Sequence, residues 1–147
     1  MNLNQSTTLE RIAEWAANTS QEWPKSSSVP AVHAITDTVA CMISGATDAA
    51  AQGVRKTVNV WSVESNGATI CGSPNRAPAP LAAFANGTAA HAQDFDDNFL
   101  AALTHASAVL VPALLSLGEE INASGAEIID AYLVGLECHA AVGRGVN

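Results

Sequence analysis

Apolar residues recur along the chain at intervals of three and four, the period of helices buried on one face. Leu9, Ile12, Ala13 and Ala16 share one face of a first helix that Thr8 is placed to cap. A turn-prone stretch from Asn18 to Lys25, containing Pro24, follows, and Trp15 and Trp23 are expected to pack near that corner. Ser28, Val29 and Pro30 open a second helix with the stripe Val32, Ile35, Val39, Met42 and Ile43, and Gly45 is its natural stop. Asp48 caps a third helix running toward Trp61. The Asn66-Gly67 dipeptide then turns the chain into Ala68 to Cys71, a candidate short strand. Ser73 to Pro80 reads as a proline-rich loop, and helical spacing resumes over Leu81 to Gln93, with Asn86-Gly87 expected to break it. Ala106 to Ile121 is the next helix. Ser124 and Glu127 have the spacing of a capping box for the last one, which is amphipathic through Ile128, Tyr132, Leu133 and Leu136. With no internal repeat and no long linker, the pattern predicts a mainly α, bundle-like single helical domain over residues 1–147, with at most one short strand or hairpin near residues 68–71.

Composition adds a partner to this picture. Hydrophobic residues make up 48% of the chain and charged residues 14%. A fold of this size leaves roughly a third of its unfolded surface exposed, so some apolar surface is expected to meet another segment or subunit. The most apolar run, Ala106 to Leu117, contains Pro112 and falls short of the roughly 20 residues that cross a bilayer, so it reads as a buried core helix. A net charge of -8, from 14 acidic and 6 basic residues, argues against a nucleic-acid partner. The absence of a secretory-type N-terminus and of a pairing pattern among Cys41, Cys71 and Cys138 points to the cytoplasm.

The densest polar group is His91-Ala92-Gln93-Asp94-Phe95-Asp96-Asp97-Asn98, followed by Thr104-His105, and it lies between two of the most apolar stretches. Crowded carboxylates beside imidazoles suit general acid/base work near neutral pH. From spacing alone, a plainer reading stands level with that one: Asp94, Asp96 and Asp97 form a solvated loop capping the next helix, and His91 sits on a helix surface. His91, Asp94 and Asp97 are one turn apart, as in some metal sites, but no supporting pattern accompanies them and no metal is assigned. Asp94-Phe95-Asp96 lacks the preceding strand of a phosphatase nucleophile motif. His33, Cys138 and His139 are better explained by packing or surface position than by chemistry.

The run from Ala85 to Asp97 resembles the signature A-N-G-x-x-A-H-x-x-D-F-D-D of the MmgE/PrpD family. His105 followed by Pro112-Ala113, the Ser124-Gly125 pair with Ala131-Tyr132, Gly135 and Glu137, and Asp37-Thr38-Val39-Ala40 extend the likeness over nearly the whole chain. Two positions depart: Asn98 stands where many members have threonine, and Ala106 replaces the usual proline after the histidine. The stretch from Asn98 to Thr104 looks closer to epimerase-like members than to decarboxylase-like ones.

The resemblance implies the front part of a helical domain of a cofactor-independent lyase or isomerase, which handles a small di- or tricarboxylate by proton transfer beside a carboxylate. It implies that Asp94 and His105 are catalytic, with His91, Asp97 and Asn98 in supporting or substrate-binding places, and that the protein is a homodimer or other homo-oligomer. The resemblance further implies an α/β lid with more cationic residues, which the 147-residue length is expected not to include. Of the basic residues, Arg76, in the loop before the signature helix, is the candidate to meet a substrate carboxylate. The competing expectation is a truncated, catalytically silent helical module that self-associates, since the chain ends just past an apolar helix.

Overall fold

A computed structural model describes residues 6–19, 22–61 and 67–146. The protein is mainly α: α1 (Thr8–Asn18), α2 (Lys25–Gly45), α3 (Ala49–Val58, continued by a 3-10 turn over 59–61), α4 (Ala79–His91), α5 (Ala106–Ile121) and α6 (Gly125–Val146). A two-stranded antiparallel hairpin, β1 (Ala68–Thr69) and β2 (Arg76–Ala77), pairs Ala68 with Ala77 and Thr69 with Arg76. The second strand falls inside the expected proline-rich loop. Asn66, half of the expected turn, lies outside the described residues.

Helix ends follow local chemistry. Asp48 caps α3 by accepting from the Ala50 N–H at 2.8 Å, and Ser124 with Glu127 forms the reciprocal box that starts α6. At α1 the cap is Thr7, not Thr8: a box needs its acid three residues on, and Glu10 satisfies that for Thr7, whose N–H donates to Glu10 at 2.6 Å. Helix α2 starts a turn earlier than Pro30 suggests, at Lys25 after Pro24, because the N–H groups of Ser27 and Ser28 find the Pro24 carbonyl.

Helix α4 runs unbroken through Asn86-Gly87 and is the centre of the packing, lying against α2, α3 and α5. Asn86 does not compete with its own helix. Its side chain is turned to the hairpin, accepting from the Cys71 N–H and donating to the Thr69 carbonyl, both at 2.8 Å. The buried face of α4 is nearly all alanine (Ala79, Ala82, Ala85, Ala89, Ala90), which lets neighbouring backbones approach closely. Gly45 marks the tightest crossing: a Cβ there would stand 2.0 Å from the Ala89 carbonyl oxygen of α4.

The core is distributed. Val58, Ile70, Ala77, Ala82 and Ala85 fill the space between α3, the hairpin and α4. Ala31, Val111, Tyr132 and Leu133 join α2, α5 and α6, with Trp23 packed on them and donating its indole N–H to Asp130. Helix α1 has no buried residue, and Trp15 on it is 41% exposed, away from Trp23's cluster. Among the described residues no single helix is long and apolar enough to cross a membrane.

Candidate active site

The site begins where α4 ends. The helix finishes at His91, the Asp94 N–H closes a turn onto the His91 carbonyl, and Asp94 itself takes a left-handed conformation with φ 55°. Aspartate is among the few non-glycine residues that tolerate this region. The reversal gives the three clustered carboxylates different fates. The Asp94 side chain is 78% exposed, that of Asp96 is fully buried, and Asp97 accepts from the Ser107 N–H at 2.9 Å, satisfying a free donor in the first turn of α5. Asp97 is thus the helix-capping acid of the plainer reading, while Asp96 is not solvated.

Residues 99–104 form a small reversal, with the Phe99 N–H bonded to the Thr104 carbonyl at 2.7 Å and the Thr104 N–H to the Phe99 carbonyl at 3.3 Å. It returns the chain so that His105, immediately before α5, faces His91. The ring centroids are 4.6 Å apart. Both imidazoles converge on Asp96: His91 Nδ1 is 3.0 and 3.1 Å from its two oxygens, and His105 Nδ1 is 3.2 Å from Oδ2. The other nitrogen of His105, Nε2, lies 3.8 Å from Asp94 Oδ1. The His105 Nδ1 atom is buried and its contact with Asp96 misses hydrogen-bond alignment, so it is neighboured but not bonded.

Both histidines line an open groove of about 660 Å³ with Gly87, Thr88, Thr104, Ala108 and Val109. Behind it, Ser107 Oγ and the Tyr132 hydroxyl form a buried pair at 2.7 Å. Burial pushes the Tyr132 hydroxyl up, the Ser107 hydrogen bond opposes this, and the nearby Asp97 charge adds to it, so the phenol stays protonated at neutral pH.

The structure therefore brings Asp94, His105 and His91 together and holds Asp97 at the helix start beside them. Asn98 is exposed on the connecting loop. Arg76 goes elsewhere: its guanidinium pairs with Glu119 and donates to the Gly67 carbonyl, on a different depression lined by Leu115, Gly118 and Asn122. Asp96 is the member to which the sequence assigned no role. Acids stand two residues before it and one after, and only the backbone reversal at Asp94 distinguishes it. The donor atoms of His91, Asp94, Asp96 and His105 all lie within 4.8 Å of one another, so these four could also hold a cation through nitrogen and oxygen ligands. In that set Asp96 and His105 replace the Asp97 of the one-turn spacing, because Asp97 is committed to α5.

The mainly helical domain thus sets two imidazoles on one buried carboxylate at the edge of a groove. Comparison with known proteins gives the family. The MmgE/PrpD N-terminal domain matches residues 10–147, and the chain belongs to that family. Over 74 residues it is 40% identical to cis-aconitate decarboxylase of Homo sapiens and, equally, to that of Mus musculus. Each match covers 47% of this chain and 15% of the relative.

Proposed function

We propose that this chain forms part of a lyase or isomerase that acts on a small di- or tricarboxylate by moving a proton at a carbon beside a carboxylate. The observation that carries the reading is the position of His105, whose Nε2 lies beside exposed Asp94 while its other nitrogen contacts buried Asp96. An imidazole is the side chain best matched to proton exchange near neutral pH. Asp94 then orients the ring or the substrate, and the neighbouring His91 ring, 4.6 Å from that of His105, forms the adjacent wall of the groove.

The family membership supports a dehydratase or other lyase role, and the partial likeness to cis-aconitate decarboxylases makes cis-aconitate the first acid to try. Methylcitrate and iminodisuccinate test the dehydratase-like and epimerase-like branches. No lysine or arginine is among the residues lining the groove. A polycarboxylate would need added cations from outside it, which suits a site completed by further segments or by a second copy.

The test is proton-deuterium exchange followed by NMR on cis-aconitate, citrate, methylcitrate and iminodisuccinate. Exchange is expected with at least one acid, and His105→Ala should reduce it by about a hundredfold or more. Exchange that survives His105→Ala would remove His105 from the chemistry. No exchange with any acid would favour a catalytically silent module that self-associates, a reading supported by Phe95, Leu100 and Leu103, which are 75%, 79% and 73% exposed around the site.

A further inference from the structure

We infer that Asp96 is a positioning residue that fixes the tautomers of both His91 and His105, holding each with Nδ1 protonated and leaving Nε2 of His105 as the free base on the Asp94 side. The use of Nε2 in proton transfer rests on the function proposed above, whereas the tautomers are argued from the contacts of the two rings with Asp96. An ionised carboxylate accepts hydrogen bonds and cannot donate them. With Asp96 fully buried and both Nδ1 atoms 3.0 to 3.2 Å from its oxygens, an Nδ1 lone pair would face an oxygen lone pair at close range, whereas an Nδ1–H is attracted. Leaving a buried charge unmet is costly. Among the described residues no lysine or arginine pairs with Asp96, so the His91 N–H is what meets it, with His105 Nδ1 next to it at 3.2 Å.

The two contacts are unequal. His91 is aligned on both oxygens, while His105 has the distance but not the angle. Catalytic hydrogen bonds are often loose in unliganded sites and tighten when the site is filled. A modest rotation of the His105 ring completes its bond to Asp96 and also redirects Nε2, so the buried carboxylate sets both the tautomer and the aim of the reacting nitrogen. An orienting carboxylate acts on an imidazole in this way at other proton-transfer and metal sites.

The experiment is long-range 1H-15N correlation NMR on the whole chain labelled at histidine nitrogens, at a pH where the rings are neutral, with His91→Gln and His105→Gln used for assignment. Both rings are expected to show a protonated Nδ1 and a bare Nε2. Asp96→Asn should switch at least one ring, because its amide presents an N–H where the carboxylate presents an oxygen. The same variant should lower kcat for deuterium exchange about a hundredfold with KM little changed. A bare Nδ1 on His105 in the unaltered protein overturns the inference, as does an Asp96→Asn protein with both tautomers retained. If Asp96→Asn does not fold, the spectrum of the unaltered chain still decides. The expected tautomers without exchange on any acid would support the role of Asp96 and remove the proton-transfer function instead.

Discussion

Single residues with two backbone partners do much of the architectural work. Asn86, buried in α4, ties the hairpin to the central helix through the Cys71 N–H and the Thr69 carbonyl. Asn86→Ala leaves two part-buried backbone groups without partners, and a cost of about 2 to 4 kcal/mol is expected, the lower part of the range for two unsatisfied groups. In a chain of this length that corresponds to a drop in Tm of very roughly 5 to 15 °C, measured by calorimetry or circular dichroism. A fall of less than a degree would mean that water replaces the side chain. The same residue shows how a dipeptide that signals a turn can be read wrongly. Asn-Gly breaks a helix when the amide bonds to its own backbone, but here the amide has distant partners that no local pattern displays.

At the scale of elements, the helix ends were the most legible features. The caps at Asp48 and Ser124, the stop at Gly45 and the limits of α5 all follow from residues within four positions of the end they define. The Ser124 box also carries a pH dependence. Hydrogen bonds from the Ser124 N–H and hydroxyl hold the Glu127 carboxyl below its ordinary range. A lowered folded value means that the stabilisation is complete above the ordinary carboxyl range and is lost as pH falls through the lower one. Backbone amides in the first turn of α6 should therefore lose hydrogen-exchange protection on acidification from pH about 6 to about 3, and Glu127→Gln, which removes the titrating carboxyl, should remove that pH dependence. Protection that is equal at both ends of the range would show that packing alone holds this turn.

For the whole molecule, the apolar excess in the composition finds its place at the surface. Leu100 and Leu103 project from the loop between Asp97 and His105, and Phe84, Val109, Leu117 and Ile121 stay exposed on α4 and α5. Burial of such side chains is worth about 1.5 to 3 kcal/mol each, enough to drive association. Sedimentation velocity at micromolar concentration should give a species of at least twice 15.1 kDa, and a Leu100→Asp, Leu103→Asp double variant should move it toward the monomer. A monodisperse 15.1 kDa species for the unaltered chain would count against self-association. Two thiols should be slow to alkylate at neutral pH: burial pushes both Cys41 and Cys71 up, with the charge of Asp37 adding at Cys41 and that of Glu119 at Cys71.

The sequence by itself determined the helical class, most helix limits and the crowding of Asp94, Asp96, Asp97, His91 and His105 into one region, because period, caps and spacing are written in nearby residues. It also carried the family signature. Tertiary structure alone decided which carboxylate is buried. The left-handed turn at Asp94 sends one acid to solvent, one beneath two imidazoles and one to the start of α5. It also decided that Arg76 of the hairpin pairs with Glu119 of α5 instead of joining the histidines. Both outcomes depend on where the chain returns after many residues, and neighbouring positions hold no record of that.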